Sequence, residues 1–313
     1  MQKRVWVVSE KEELMAELIN GAGRISPGAA VTAAAVGSAR AAKVAAGAGA
    51  GRIYYFKLGG GTPVEAVYTR LAQLIKNEGA DLVLVASTRR GKTLAALLAA
   101  EMDCGLASEA RIEEFADSVK TSRFVFGGLA VSTDVFVSGT PVVSVPPLTW
   151  ERPPLVEADS PAITEIACES GRVRVVGQKP REGSTVNLEE AEVVVSVGRG
   201  VKRREDLAMF EELAGLLGGV VSCTRPIAEE EGYRWFPEDF YIGITGRTVK
   251  PKLYILAGSS GQIQHLSGCR DAKIFVGINK NEEAPVFESS DYGIVGDLYQ
   301  VVPELIKQIK EVR

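Results

Sequence analysis

The chain is predicted to be an α/β protein of two domains. Three observations carry that prediction: its length of 313 residues, a regular alternation of short apolar runs with helical patterns, and a composition break near its middle. One hydrophobic core rarely serves so long a chain. Strands that alternate with amphipathic helices imply a parallel sheet covered on both faces.

The N-terminal half supplies the alternation. Apolar runs at Val5–Ser9, Val31–Val36, Ile53–Leu58 and Asp81–Ser87 read as strands, with helices expected near 10–21, 38–49, 63–78 and 90–102. In the third helix Val64, Val67, Leu71, Leu74 and Ile75 share one face at helical spacing. From about 106 to 145 only short β-like runs occur, such as Phe124–Phe126 and Val142–Val145, separated by Gly and Ser. These are expected to be antiparallel strands added to the sheet or packed against it. The pairs Pro146-Pro147 and Pro153-Pro154 and a polar stretch at Lys179–Asn187 mark the break. The expected domains are therefore 1–185, an N-terminal α/β domain, and 186–313, a Rossmann-like doubly wound domain.

Composition excludes several functions. With 46% apolar and 24% charged residues and a net charge of −4, nothing calls for nucleic acid or an anionic membrane. No apolar run is long enough to span a bilayer, so membrane insertion is not expected. The opening residues pass directly into a strand pattern, so a cytoplasmic location is expected. Cys104, Cys168, Cys223 and Cys269 have no CxxC spacing, and His265 is the only histidine. No metal site is expected.

Ala86-Ser-Thr-Arg-Arg-Gly91-Lys92-Thr93 is close to a phosphate-binding loop. However, Ala86 stands where that motif needs its first glycine, which lets backbone N–H groups curl around phosphate. A helix N-terminus with a basic first turn is the simpler reading.

The last third carries the chemistry. Val193–Val197 runs into Gly198-Arg199-Gly200, ahead of a helix near 203–217. A glycine turn at a helix start suits a dinucleotide diphosphate, although two glycines alone are a weak signal. Val220–Cys223 then ends on Thr224-Arg225-Pro226. Tyr241-Ile-Gly243-Ile244-Thr245-Gly246-Arg247 precedes the strand Leu253–Ala257, which leads to Gly258-Ser-Ser260-Gly261-Gln262-Ile263-Gln264-His265. Hydroxyls, amides and the sole histidine thus converge on the C-terminal end of a strand, where ligands bind in open α/β sheets. Lys273–Ile278 ends at Asn279-Lys280. Glu283-Ala-Pro285-Val-Phe287, Asp291-Tyr292-Gly293 and Gly296-Asp297-Leu298 follow. A closing helix is expected over Pro303–Val312, with Pro303 in its first turn.

In order and spacing, these motifs resemble the FAD domain of electron transfer flavoprotein alpha subunits over about 120 residues. The chain is similar to the short prokaryotic branch of that family, which includes nitrogen-fixation-associated and carnitine-pathway carriers. The resemblance implies FAD as cofactor and an electron carrier rather than an enzyme. It implies a heterodimer with a beta subunit. It further implies exchange with an acyl-CoA-type dehydrogenase and with a quinone reductase, ferredoxin or flavodoxin. Carried over by position, Arg199 would meet the FAD diphosphate and ribityl region. Thr224 and Arg225 would flank the isoalloxazine ring, and Thr245, between Gly243 and Gly246, would bond near N5. Ser260, Gln264 and His265, with Gly261, Gln262 and Ile263 between them, would line the ribityl and pyrimidine side. Asn279 and Asp297 would hold the adenosine. Arg225, helped by His265, would stabilise negative charge at the N1–C2=O edge.

Three positions depart from the family pattern: Ile244 replaces the usual Gln, Arg247 a lysine and Thr224 a serine. Loss of the Gln amide removes one flavin hydrogen bond and bears on potential or affinity. Two other classes remain open from the residues. A nicotinamide-dependent dehydrogenase would need a third glycine after Gly198-Arg-Gly200, and none is present. A nucleotide-sensing module would bind an adenine nucleotide without visible absorbance. A hydrolase built on Ser260 and His265 lacks the G-x-S-x-G elbow.

Overall fold

A computed structural model of the chain describes residues 2–159, 162–169, 171, 173–177 and 187–312. The chain divides into two compact units, one of Met1–Val125 with Val131–Lys179, the other of Phe126–Ala130 with Pro180–Arg313. The boundary expected at 185/186 lies outside the described residues.

In the first unit, strands and helices alternate as β1 (Arg4–Ser9), α1 (Glu12–Ile25), β2 (Ala30–Val36), α2 (Ala39–Gly47), β3 (Arg52–Leu58), α3 (Tyr68–Glu78), β4 (Leu82–Ala86) and α4 (Arg89–Met102). There follow β5 (Leu106–Ala107), β6 (Arg111–Phe115), β7 (Val119–Val125), β8 (Ala130–Val135), β9 (Val142–Val145) and β10 (Ile163–Cys168). Among the described residues the main sheet has the order β10-β3-β2-β1-β4-β9-β5, and its pairings are parallel.

Strand alternation explains the two cores. Val5 and Val7 pack with Met15 of α1 and Ala41 of α2 on one face. Trp6 and Val8 pack with Leu71 of α3 and Leu94 of α4 on the other. A strand with both faces covered reads as a continuous apolar run, which is why β1 and β4 were legible. Trp6 stacks on Tyr54 at 5.7 Å and donates from Nε1 to Gly79 O at 3.3 Å. Glu17 of α1 is a buried carboxylate (1% exposed), which accepts from Arg152 Nε at 2.9 Å and Trp150 N at 3.2 Å. Those bonds fasten the proline-rich segment onto α1.

Two expectations for this half need correction. Val142–Val145 is not antiparallel: β9 pairs parallel with β4 and β5 inside the main sheet. The added antiparallel strands are β6 and β7, in a separate sheet ordered β6-β7-β8 that is inserted between β5 and β9. A β excursion has replaced the crossover helix, so a short apolar run returns in the original direction. Phe126 lies just beyond β7 and turns the chain with a left-handed φ of 53°.

The second unit contains β11 (Val193–Val197), α5 (Leu207–Leu216), β12 (Val220–Cys223), α6 (Arg225–Glu229), β13 (Leu253–Ala257), α7 (Ile263–Leu266), β14 (Phe275–Asn279), β15 (Tyr292–Val295) and α8 (Leu298–Val312). Its parallel sheet has the order β12-β11-β13-β14-β15. Strand order therefore reverses at β11, and the crevice beside it opens at the ends of β11 and β13. Leu207, Phe210, Leu213 and Ala214 of α5 are buried, with Leu217 only partly so. The last helix begins at Leu298, not at Pro303, which lies inside it. Asp297 explains the early start: its carboxylate accepts from Tyr299 N at 2.9 Å, and its carbonyl from Gln300 N and Val301 N.

Candidate functional site: the C-terminal edge of the second sheet

All five strands of the second sheet point the same way, so their C-terminal ends share one edge. Arg199 follows β11, Thr224 and Arg225 follow β12, and residues 258–265 follow β13. Asn279 closes β14, and Asp297 follows β15. The loop 241–247 extends this edge, because Ile242 N donates to Cys223 O at 3.1 Å and a parallel bridge joins Cys223 to Tyr241.

Glycines permit a close backbone approach here. Gly200 N donates to Gly258 O at 2.7 Å, and a Cβ on Gly200 would meet Gly258 Cα at 2.6 Å. Any side chain would force the two turns apart. Gly243 has φ 146°, and a Cβ there would meet Gln264 O at 2.7 Å. That position lets Ile244 N donate to Gln264 O at 2.9 Å. Gly261 is buried against Val286, Gly246 N donates to Gly243 O at 3.0 Å, and Asn279 Nδ2 donates to Ser259 O at 2.8 Å.

The polar groups divide by exposure. Arg199, Arg225, Thr245, Ser260, Gln262, Gln264 and Asp297 are exposed, Ile263 and Asn279 half-buried, and Thr224 and His265 buried. A cleft of about 650 Å³ is lined by Gly261, Gln262, Ile263 and Gln264 together with Pro285 and Glu288. The arginines, Thr224, Thr245 and Asp297 stand outside it, along the open strand edge.

Three features were not read from the sequence. First, both arginines have carboxylate partners: Arg225 Nε lies 2.5 Å from Glu229 Oε2, and Arg199 Nη1 lies 3.8 Å from Glu230 Oε2. Glu229 raises the Arg225 pKa further, and the cation keeps its charge with part of its field offset. The i,i+4 spacing of Arg225 and Glu229 was the available signal.

Second, His265 is a buried ring rather than an exposed cation. It is 7% exposed, and burial lowers its pKa to about 4 despite an opposing hydrogen bond with Ile242 O. Desolvation penalises the charged ring, so the imidazole is neutral at physiological pH. The positive charge at this edge comes from the arginines. Tyr254, whose hydroxyl lies 2.8 Å from His265 Nε2, was also missed. A tyrosine inside an otherwise apolar strand needs a partner for its O–H, and that need was the signal.

A doubly wound sheet with a glycine-lined switch point and cationic rim defines a dinucleotide-binding α/β protein. Sequence comparison gives the family. Residues 187–270 match the electron transfer flavoprotein FAD-binding domain and residues 5–170 the electron transfer flavoprotein domain. YdiR of Escherichia coli (strain K12), whose name assigns it to electron transfer flavoprotein subunits, is 38% identical over 251 residues, covering 76% of this chain and 77% of its own. The FixB proteins of Escherichia coli O157:H7 and Shigella flexneri are each 33% identical over 309 residues, covering 96% of both chains. The chain belongs to the electron transfer flavoprotein family, as an alpha-type subunit of the FixB-like branch.

The cofactor of its C-terminal domain is FAD. The residues present fit that group: Arg199 and Arg225 stand as permanent cations on the rim, and the hydroxyls and amides of Thr245, Ser260, Gln262 and Gln264 are exposed along the same edge. The family implies a beta-subunit partner. Among the described residues, no helix is long and apolar enough to cross a membrane and no cluster of His, Cys, Asp and Glu could hold a metal ion.

Proposed function

We propose that the chain is an electron carrier, not a stand-alone enzyme. In this reading it works in the cytoplasm as a heterodimer with a beta subunit, taking electrons from a dehydrogenase of the acyl-CoA type. It passes them to a quinone reductase, ferredoxin or flavodoxin. Residues 1–185 build the subunit interface and residues 186–313 hold FAD. What supports the reading is that five parallel strands deliver every candidate contact to one edge of one sheet.

Bound FAD supplies the redox chemistry, and the protein positions and biases it. Gly198, Gly200 and Gly258 let the turns after β11 and β13 pack together, and Arg199 beside them is the counter-charge for the diphosphate. Arg225 holds a fixed positive charge beside the ring, tempered by Glu229. The Thr245 hydroxyl lies 3.3 Å from the Tyr241 hydroxyl, which also donates to Thr245 O at 3.0 Å, so its loop is braced. Ile244 is 53% exposed and offers no side-chain hydrogen bond where the family resemblance implies an amide.

The test is to purify the chain with its beta partner, record the visible spectrum and identify the released flavin. An acyl-CoA-type dehydrogenase charged with substrate is then added. The reading predicts flavin bands, FAD on release, and bleaching on mixing. A colourless complex that takes up no added FAD contradicts it. A single chain that transfers electrons at the full rate contradicts the heterodimer.

A further inference from the structure

His265 is tied at both ring nitrogens. Nδ1 lies 3.0 Å from Ile242 O, and Nε2 lies 2.8 Å from the Tyr254 hydroxyl. A carbonyl oxygen only accepts, so Nδ1 carries the proton. In the neutral ring Nε2 is then a lone pair, and Tyr254 donates to it. Tyr254 is fully buried in β13 and packs edge-on against Phe275 at 5.3 Å. Ile242 belongs to the loop that carries Ile244 and Thr245, and His265 belongs to α7 beside Gln264. A second bond, Ile244 N to Gln264 O, joins the same two pieces.

We propose that Tyr254 is a positioning residue for the flavin site: through His265 it clamps the 241–247 loop onto α7, and so fixes where Thr245 and Gln264 stand. This inference rests on the flavin reading of the edge. The clamp runs from a rigid core strand to two exposed loops, which makes it a support for their polar groups. The titratable groups in contact with His265 add no charge. Burial pushes the Tyr254 hydroxyl up, and it pushes the Cys269 thiol, which donates to His265 O at 3.8 Å, up to about 12. Without Tyr254 the ring would keep one anchor and leave a buried nitrogen unpaired, a costly arrangement in a low-dielectric interior.

Because the chain has one histidine, long-range proton–nitrogen NMR of the full chain reads this imidazole alone. The expected spectrum shows Nδ1 protonated and Nε2 bare, unchanged from about pH 8 to about pH 5.5. In Tyr254→Phe the Nε2 resonance moves toward that of a free lone pair. The FAD dissociation constant, followed by flavin fluorescence on adding FAD to the apo complex of the chain with its beta partner, rises about tenfold in Tyr254→Phe and in His265→Gln, the worth of one hydrogen bond. The double variant shows no further rise, because the second change removes a link already cut. An Nε2-protonated ring in the unsubstituted chain overturns the clamp whether or not FAD binds. Additive losses in the double variant overturn the positioning role. A chain with the expected tautomer that takes up no FAD keeps the contact but loses its role together with the flavin reading.

Discussion

The two units share an architecture and differ at their strand edges. In each, a parallel sheet reverses its strand order at its first strand, β1 in one and β11 in the other. At the edge of the first, the strand β4 ends in a turn whose polar groups are taken up by carboxylates of neighbouring segments. Thr88 caps α4 by accepting from Gly91 N at 2.8 Å and donates to Glu10. Arg90 lies 3.6 Å from Glu65, and Lys92 lies 2.9 Å from Glu109. At the edge of the second, glycines bring β11 and β13 turns into backbone contact, and hydroxyls and amides face outward. A fold of this kind supplies a place, and the loop chemistry decides whether that place binds anything.

The largest break in this comparison is structural. Arg152→Ala leaves the buried Glu17 carboxylate without its cation, and the expected loss of stability is roughly 3–5 kcal/mol. Urea unfolding checks it through the midpoint, with the slope unchanged. Flavin content per folded chain should not move, since the pair serves only the first unit.

Next in size is the pH dependence of the second unit. His265 has a folded-state pKa of about 4 against 6.5. The unfolded chain therefore binds a proton that the folded chain rejects. The stability from the neutral ring is present above about pH 6.5 and is lost as pH falls toward 4. The full loss is about 3 kcal/mol. Comparing unfolding midpoints of the unsubstituted chain and His265→Gln across that window isolates it: the slope should flatten in the variant.

A finer change probes the rim. Glu229→Gln removes the carboxylate that offsets Arg225, so the flavin potential should rise, by about 10–40 mV for a surface pair of this kind. Spectroelectrochemical titration measures it, and a fall in potential would show that Glu229 acts by another route. The smallest effect expected is that of Lys92→Ala. It removes an exposed ion pair worth about 0–1 kcal/mol and should leave flavin content unchanged.

The buried strands of both sheets were legible in the sequence because they are written as unbroken apolar runs, whereas the two-residue β5 and the exposed, glycine-containing β15 were not. The helices between them were legible from helical spacing and from caps such as Ser38 and Thr88. Strand direction was not legible for β9, because four apolar residues look the same either way. Nor was β10, whose Ile163-Thr-Glu-Ile166 is neither an apolar run nor a strict alternation and sits on the sheet edge as a half-exposed strand. Asp297, expected at the adenosine, also caps α8, so one carboxylate served two readings. The histidine was legible and its protonation state was not, because that depends on burial, and burial follows from β13, α7 and the 241–247 loop packing together. The carboxylates at 229 and 230 were passed over because charged residues on a short surface helix ordinarily mean only solvation.

The central claim is that the second strand edge, not the first, holds the flavin. Measuring bound FAD per folded chain in Gly200→Val and in Lys92→Ala, with folding verified by circular dichroism, tests it most directly. The account predicts that the valine, whose Cβ would meet Gly258 at 2.6 Å, abolishes the visible flavin bands, while the alanine retains them in full. Flavin retained in Gly200→Val and lost in Lys92→Ala would contradict it.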